Sequence, residues 1–298
     1  MDTEEAHKAL LRLTEQVLAW NQRLNLVSRK DCTAAVVYHR HVLPSVALLP
    51  LILENASGTS EQQQQQSTDM KIVDVGTGGG FPGLPLALLL PSLQFTLVDS
   101  IQKKLVAVSE MAQELDMTNV RIHCGRVEEM EPREHKGRYR VVLGRSVTAL
   151  PRFCAWVSDL LQKGDAGEGR LIYIIGGELE EVVESRIQTD ISLDVLLQRG
   201  EGTTDKRALV FRARDVREIA RESGEGKKVV KNSGGSVGYS GRGGNGGGGG
   251  GGGGRRKSNE GNSGKQGGKK LAKGAWSTKR NDVKKERGYD DFKRYESR

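Results

Sequence analysis

The sequence VDVGTGGGFPG, residues 73–83, decides the fold of this chain. It places glycines at positions 76, 78 and 80 directly after a short apolar run that begins at Lys71. Glycine has no Cβ, so a loop of this kind turns sharply and lets a ligand come close to the backbone. A buried strand that runs into such a loop predicts the first βα unit of a Rossmann-like fold.

The sequence downstream of this loop alternates between strand-like and helix-like segments. Short aliphatic runs predict further strands at residues 94–98, 120–124, 140–143, 170–175 and 207–211. Helix-length segments lie between them, at residues 84–90, 103–115, 150–161 and 178–187. This alternation predicts an α/β fold with a doubly wound parallel sheet covered on both faces, whose ligand lies beyond the carboxyl ends of the strands.

The sequence upstream of the loop predicts helices and an insertion. Leu10, Leu13, Val17 and Trp20 recur at helical spacing, and a second apolar helical stretch follows at residues 34–53. Residues 1–53 are therefore expected to form an N-terminal helical extension. Residues 54–69 contain five consecutive glutamines and no apolar periodicity, so we expect a flexible insertion.

The C-terminal part of the chain differs sharply in composition. Residues 223–298 carry 19 Lys or Arg, 7 Asp or Glu and 23 of the 39 glycines, which leaves residues 1–222 with 27 basic and 31 acidic side chains. A segment this poor in aliphatic residues cannot bury enough apolar surface to offset its chain entropy. We expect a domain at residues 1–222, with its α/β sheet at 70–222, and a disordered basic tail at 223–298.

The spacing of the glycines indicates which cofactor the loop binds. The dinucleotide pattern GxGxxG requires a glycine at position 81, where this chain has Phe81, and the observed pattern is GxGxG after Asp74. This spacing suits S-adenosylmethionine, which has no pyrophosphate for a helix to hold. Gly76 and Gly78 are the candidate contacts, a glycine-rich turn without a ligand is the plain alternative, and an NAD-linked oxidoreductase is the least favoured class.

Three positions at later strand ends add to the predicted site. Asp99 ends the second strand, where a carboxylate can accept hydrogen bonds from ribose hydroxyls. Residues 126–129, Arg-Val-Glu-Glu, follow the third strand, where such folds enclose adenine, although a solvated acidic loop fits this segment almost equally well. Arg145 ends the fourth strand and is expected near the methyl group, with an ordinary surface arginine as the alternative.

Over about residues 10–212 the sequence resembles the RsmG (GidB) family, bacterial-type methyltransferases that form 7-methylguanosine in small-subunit ribosomal RNA. The resemblance rests on the following residues: Trp20, Asn21, Asn25, Leu26, His41, Ser45, residues 73–83, residues 97–100, Lys103, Lys104, residues 126–129, Gly144, Arg145 and Arg207. It implies that Gly76, Phe81, Val127, Glu128 and Arg145 contact S-adenosylmethionine. It also implies that the partner is small-subunit rRNA or the small ribosomal subunit.

Two positions depart from the family pattern. The usual His-x-x-Asp-Ser reads here as His41 to Ser45 with Pro44 in place of the acid, and the usual Lys-Gly after the fifth strand reads as Gly176-Gly177. Both departures concern RNA docking more than cofactor binding. Trp20, Asn21, Asn25 and His41 are expected mainly to tie the N-terminal helices to the sheet.

The predicted chemistry demands few catalytic groups. Guanine N7 offers a lone pair and has no proton to remove, so positioning and electrostatics suffice. The segment after the fourth strand lacks the Asn/Asp-Pro-Pro-Tyr pattern used on exocyclic amino groups. Arg145 is the candidate catalytic residue, holding either the cofactor carboxylate or an RNA phosphate.

The remaining features set expectations about compartment and partners. The three cysteines, Cys32, Cys124 and Cys154, match no metal-binding or redox spacing, and the histidines show no metal-like arrangement, so we expect no metal. No apolar run looks long enough for a membrane span, and the acidic start is unlike a signal peptide. We expect a cytoplasmic monomer without membrane contact, with an organellar ribosome as an alternative setting.

Two other function classes stay open from sequence. One is a methyltransferase that acts on a small molecule or a protein, favoured by the mildly acidic body. The other is a non-enzymatic RNA-binding or ribosome-associated protein with a vestigial pocket, favoured by Pro44, Gly176 and the basic tail. The tail itself resembles RNA-binding segments in which cations neutralise phosphates and aromatics stack on bases, and a solvated extension without a partner is the equal alternative.

Overall fold

The computed structural model describes residues 2–30, 32–54, 70–163, 168–198 and 205–224. The predicted insertion after Glu54 and the predicted tail after Gly224 lie outside these ranges, and the domain boundaries remain predictions. The described part contains seven strands: β1 (Lys71–Val75), β2 (Gln94–Asp99), β3 (Val120–Cys124), β4 (Val141–Arg145), β5 (Arg170–Gly176), β6 (Thr189–Ser192) and β7 (Lys206–Arg212). They form one sheet in the order β3-β2-β1-β4-β5-β7-β6.

The sheet is mixed, which corrects the expectation of an all-parallel sheet. Strands β1 to β5 pair in parallel, whereas β7 runs antiparallel between β5 and β6. Neighbouring antiparallel strands need no crossover helix, and the described connection after β6 contains the single turn Leu193–Leu196. Strand β6 was not predicted, because its four residues include Ile191 as the single aliphatic side chain and lie at the edge of the sheet.

Helices cover both faces of the sheet, as the doubly wound prediction requires. The described helices are α1 (Thr3–Asn21), α2 (Ala34–Val37), α3 (Leu43–Val46), α4 (Leu49–Leu53), α5 (Gly83–Leu89), α6 (Gln102–Glu114), α7 (Pro132–His135), α8 (Leu150–Val157), α9 (Glu181–Glu184), α10 (Leu193–Leu196) and α11 (Ala213–Glu222). One core joins α1 to α6 with Ile72, Leu97 and Leu143. The other joins α8, α9 and α11 with Val73 and Val142.

Alternate residues of a strand point to opposite faces of the sheet, so the residues of β1 enter both cores. Its last four residues are all buried, because Ile72 enters the first core and Val73 enters the second. A strand buried on both faces reads as a continuous apolar run. The predicted N-terminal helix also has a clear local cause, since Asp2 and Glu5 form a capping box at the start of α1.

The apolar stretch Ala34–Leu53 is long and apolar enough to cross a bilayer, which corrects the expectation that no run was. In the structure it is a broken helix that packs into the first core. Val37, Val42, Leu48 and Ile52 have no exposed surface. Its apolar composition is therefore accounted for by burial in the first core.

Two predicted helices are shorter than expected, and three of the described helices, α7, α10 and α11, were not predicted. The helix expected at 150–161 ends at Val157, and the one expected at 178–187 is the single turn α9. Glu181 and Glu184 stand one turn apart in α9, where like charges oppose a longer helix. Helix α11 was not predicted, although Val216, Ile219 and Ala220 bury one face of it.

Candidate functional site

The glycine loop lies where β1 ends, at the carboxyl edge of the parallel strands. Gly76 and Gly78 have φ of +74° and +58°, in the region that side chains rarely adopt. A Cβ on Gly76 would come within 2.9 Å of Val147, on the segment after β4. A Cβ on Gly78 would meet protein no closer than 3.9 Å, so the space beside Gly78 is open.

Asp74 holds the loop from below. Its carboxylate is completely buried, and its Oδ2 accepts hydrogen bonds from the Thr77 hydroxyl at 2.6 Å and the Gly83 N–H at 2.9 Å. Among the described residues its Oδ1 has no hydrogen-bond partner. Burial raises the pKa of Asp74 to about 6, although the bonds from Thr77 and Gly83 oppose the rise.

Asp99 connects the end of β2 to the same loop. Its Oδ2 accepts a hydrogen bond from the Gly78 N–H at 2.9 Å, and its Oδ1 accepts one from the Ile101 N–H at 2.8 Å. The side chain is half-buried. A carboxylate has about four lone-pair positions, so each oxygen keeps the capacity to accept a further hydrogen bond.

Arg145, His41 and Phe81 form a cluster beside the loop. An Arg145 Nη donates to His41 Nδ1 at 2.8 Å, and the guanidinium carbon lies 5.4 Å from the centre of the Phe81 ring. The His41 and Phe81 rings are 5.3 Å apart. Phe81 is buried, so the aromatic side chain in the glycine loop serves as the platform on which Arg145 is positioned.

The protonation of His41 follows from this contact. Arginine has only donors, so His41 Nδ1 must accept, and a neutral ring carries its proton on Nε2. Burial lowers the pKa of His41 to about 4, and the nearby charges of Arg145 and Arg40 act in the same direction. His41 is therefore neutral at neutral pH. Burial also lowers the pKa of Arg145, with Asp74 opposing it, but the guanidinium stays charged.

A π-helical turn over Tyr38–Val42 places His41. Pro44 has no N–H, so the α-helical bond to the Arg40 carbonyl cannot form, and the Leu43 N–H donates to the Tyr38 carbonyl instead. The Ser45 hydroxyl donates to the His41 carbonyl at 2.6 Å. The departure at Pro44 thus lies just after the turn that carries His41 to Arg145.

The segment after β4 is held by a buried tyrosine. Ser146 has a φ of +47°, a strained conformation for a residue with a side chain. The Val147 N–H donates to the Tyr173 hydroxyl at 2.8 Å, and this hydroxyl donates to the Thr148 carbonyl at 3.0 Å. Sequence reasoning missed Tyr173, because it reads as one apolar residue among several in β5.

The segment after β3 forms a short 3₁₀ helix, Val127–Glu129. The Val127 side chain is buried in the second core, whereas Glu128 is half-buried. The Gly125 N–H donates to the Asp99 carbonyl at 3.0 Å, which ties this segment to the end of β2. Val127 and Glu128 therefore follow a strand end that neighbours the one bearing Asp99.

Besides the contact of His41 with Phe81, a short segment after α1 packs on the glycine loop. Asn21 Oδ1 accepts hydrogen bonds from the N–H groups of Leu26 and Val27, at 2.8 and 3.0 Å. A Cβ on Gly79 would come within 3.0 Å of the Leu26 carbonyl oxygen. Asn21 thus fixes the segment that packs on the glycine loop, its role in tying the helices to the sheet stays a prediction, and Asn25 is exposed.

Cations stand at two places near the cluster. A cavity of about 270 Å³ is lined by Lys30, Arg40 and His41, among others. At the end of β5, a Cβ on Gly176 would come within 2.7 Å of Lys206 Nζ. The sequence suggested that a cation is missing at position 176, but Lys206 on the antiparallel strand β7 brings its ammonium group to that place.

The chain matches the family model GidB, rRNA small subunit methyltransferase G, over residues 6–188. It is 35% identical over 181 residues to the ribosomal RNA small subunit methyltransferase G of Christiangramia forsetii, covering 60% of this chain and 77% of that protein. It is 38% identical over 185 residues to the protein of the same name in Chlorobaculum tepidum, covering 61% and 75%. Among solved structures, the antibiotic-resistance methyltransferase Kmr aligns with a TM-score of 0.37 and 18% identity, covering 53% of this chain and 96% of that chain.

Proposed function

Because the chain belongs to the GidB family of rRNA small subunit methyltransferases, we propose that it transfers a methyl group from S-adenosylmethionine to N7 of a guanine in small-subunit ribosomal RNA. The observation that carries the proposal is the meeting of Gly78, Asp99 and the Arg145 cluster at one edge of the sheet. Ligands of doubly wound sheets bind at this edge.

The loop has room and polarity for the nucleoside part of the donor. The open space beside Gly78 admits a ligand where a side chain would exclude it. Asp99 keeps lone pairs for two ribose hydroxyls while it holds the Gly78 and Ile101 N–H groups. We assign the ribose to Asp99 and the close backbone approach to Gly76 and Gly78.

The segment after β3 is assigned to the adenine. The Val127 side chain is buried in the core, so its contribution comes from the backbone N–H. Glu128 is half-buried and can accept a hydrogen bond from the exocyclic amino group of adenine. Backbone donors and a carboxylate acceptor match the polarity of an adenine edge.

Arg145 is assigned as the residue that positions an anionic oxygen beside the reacting atoms. Among the described residues, its hydrogen bond to His41 is the one that the guanidinium makes, so its other N–H groups can hold a carboxylate or a phosphate. Phe81 and His41 fix the plane of the guanidinium before any ligand arrives. Such preorganised charge is the main means of catalysis when no proton must be moved.

The surroundings of His41 and Asp74 are consistent with a reaction that needs no general base. S-adenosylmethionine, when bound, supplies an electrophilic methyl group, and guanine N7 attacks with a lone pair. His41 is neutral, but its Nδ1 is occupied by Arg145. Asp74 is completely buried beneath the loop and has no exposed surface. Neither side chain is needed to remove a proton.

The substrate and setting complete the proposal. Lys30 and Arg40 line the cavity beside His41, and Lys206, which pairs with Asp205, stands at the end of β5. These cations suit the phosphates of an RNA chain. We propose that the protein acts as a monomer on small-subunit rRNA or on the small ribosomal subunit, in the cytoplasm.

The proposed function is tested by incubating the full chain with methyl-labelled S-adenosylmethionine and small ribosomal subunits that lack this modification. The RNA is then digested to nucleosides and separated. We expect label in 7-methylguanosine, formed about 100-fold more slowly when Arg145→Gln replaces the wild type. Label in another nucleoside, in protein or in a metabolite would overturn the proposed substrate, and donor binding without transfer would overturn the proposed activity.

A further inference from the structure

A second cavity, of about 740 Å³, lies toward the amino ends of β1 and β2, away from the glycine loop. Lys71 and Gln94, the first residues of these strands, line it together with Arg121 of β3. The rise of about 3.3 Å per residue in a strand places residue 71 on the order of 16 Å from residue 76. The cavity is therefore separate from the candidate methyl-transfer site.

The cavity exists because little helical structure covers one face of the sheet at β2 and β3. Thr96 and Arg121 are register partners in β2 and β3, on the face that holds the second core. The helix that connects β3 to β4 on this side, α7, is a single turn of four residues. Thr96 and His123 are consequently half-buried and Arg121 is exposed.

The rim of the cavity carries a concentration of positive charge. Its lining includes Lys71, Arg121, Arg133 and Arg138, all exposed, and Glu134 is the carboxylate in the same lining. Within the described ranges, none of the four cations has a carboxylate within ion-pair distance. Residues 1–222 carry more acidic than basic side chains, so this cluster stands out from the domain that bears it.

The floor of the cavity is polar and fixed. His135 Nδ1 lies 2.7 Å from the Tyr139 hydroxyl, and this hydroxyl donates to Thr96 Oγ1 at 3.4 Å. The rings of His135 and Tyr139 are parallel, with an interplanar angle of 2°. A polar floor beneath exposed cations suits phosphate oxygens. Four cations, spread over β1, β3, α7 and the loop before β4, suit several phosphates rather than one small anion.

We propose that this basic cavity binds the phosphate backbone of ribosomal RNA, as a binding surface additional to the methyl-transfer site. The inference rests on the proposed function for the identity of the RNA. Phosphate contacts fix the register and orientation of a nucleic acid without reading its sequence. The cavity would thus hold the substrate while the target guanine reaches the glycine loop.

The test compares three variants of the full chain with the wild type. Arg121→Gln/Arg133→Gln/Arg138→Gln removes three charges from the rim. The matched control, Arg12→Gln/Arg214→Gln/Arg221→Gln, removes three exposed charges from α1 and α11. The rescue variant, Arg121→Lys/Arg133→Lys/Arg138→Lys, keeps the charge. The affinity for a short fluorescein-labelled single-stranded RNA is measured by anisotropy over a range of salt concentrations.

We expect the cavity variant to bind more weakly than the control. The slope of log affinity against log salt should be flattened by about 2, because three arginines no longer neutralise phosphates and each accounts for about 0.7. The lysine variant should keep most of the wild-type slope. Equal slopes for the cavity and control variants would overturn the proposal, as would a lysine variant as weak as the glutamine variant. Displacement of the RNA from the wild type by millimolar inorganic phosphate, at constant ionic strength, would also overturn it in favour of a small-anion site.

The result is separable from the proposed function. Affinity for S-adenosylmethionine, measured by calorimetry, should be the same in the cavity variant and the wild type. Wild-type methylation with equal RNA slopes would refute the cavity and leave the function standing. A loss of RNA affinity confined to the cavity variant, with no methylation by the wild type, would refute the function and leave the cavity standing.

Discussion

Asp74 carries its carboxylate into the interior directly beneath the glycine loop, where Thr77 and Gly83 share one of its oxygens. These two hydrogen bonds hold the glycine loop in place, but they require a titratable carboxylate to be buried. Arg145 is a cation that is similarly withdrawn from water. It is half-buried and lies beside a neutral histidine and an aromatic ring. At the scale of single residues, the site is built from groups whose ordinary hydration has been replaced by a few fixed contacts.

The raised pKa of Asp74 predicts a pH-dependent stability. The folded pKa of about 6 exceeds the unfolded value of 3.8, so the folded state holds the proton more tightly. Its contribution is therefore stabilising below about pH 4 and is lost as the pH rises through about 6. The rise corresponds to about 3 kcal/mol at 1.36 kcal/mol for each pKa unit.

The variant Asp74→Asn has no such group. Between about pH 4 and about pH 7, the free energy of unfolding of the wild type should fall by about 2 kcal/mol relative to that of Asp74→Asn. Denaturant unfolding at a series of pH values measures this difference. Parallel stability curves for the two proteins would show that Asp74 does not titrate in this way.

Replacement of Arg145 should affect the reaction much more than the fold. We expect Arg145→Gln to lower kcat/KM by about 100-fold, because a preorganised charge beside the reacting atoms is removed. Arg145→Lys should be intermediate, since it keeps the charge but loses the flat guanidinium over Phe81. Methyl transfer to small subunits measures both, with Arg12→Gln as the control. A wild-type rate for Arg145→Gln would remove Arg145 from the site.

At the scale of elements, the loop between β1 and α5 is the part that a ligand must touch. Gly78 and Gly137 offer a matched pair, because their φ values are +58° and +66° and an added Cβ would meet little or no protein at either position. Alanine at either position has a left-handed backbone cost of about 1 kcal/mol. The two positions differ in that Gly137 lies before β4 and outside the candidate site.

We therefore expect Gly78→Ala and Gly137→Ala to lose similar stability, about 1 kcal/mol each by thermal or denaturant unfolding. Affinity for S-adenosylmethionine should fall by about tenfold or more in Gly78→Ala, since overpacking against a ligand costs about 1–3 kcal/mol. It should not change in Gly137→Ala. Equal affinities for the two variants would mean that the donor does not approach Gly78.

The sequence predicted the elements that are specified by a local pattern of their own residues. Strands β1, β2, β4 and β5 read as apolar runs because at least half of the residues of each are buried, and the glycine loop follows from its spacing. Strand β3 was predicted as well, although Arg121 and Cys124 are exposed. Strand β6 has too few apolar residues to be recognised. The place of Lys206 beside Gly176 depends on the register of β7 against β5, which no local pattern encodes. The basic cavity likewise arises from the shortness of α7, and its four cations are scattered over the chain.

At the scale of the whole molecule, charge is distributed unevenly. Residues 1–222 are slightly acidic, whereas residues 223–298 carry 19 basic and 7 acidic side chains. The domain nevertheless concentrates cations at the basic cavity and beside His41. A polyanionic substrate would thus meet local patches on the domain and a general attraction from the tail.

Deletion of residues 225–298 should weaken binding to RNA and flatten its dependence on salt. For a single strand, the slope of log affinity against log salt should decrease by about 0.7 for every phosphate that the tail neutralises. Anisotropy with labelled RNA measures the slope for the full chain and for the shortened one. The shortened chain should bind S-adenosylmethionine with unchanged affinity, which serves as its control. Identical slopes would identify the tail as an extension without a role in RNA binding.

The most direct measurement is a calorimetric titration of the intact chain with S-adenosylmethionine, with NAD as the comparison ligand. Our interpretation of the edge formed by β1, β2 and β4 predicts saturable binding of one donor molecule per chain, weakened in Gly78→Ala, and no binding of NAD. Saturable heat with NAD, or no heat with S-adenosylmethionine, would contradict it.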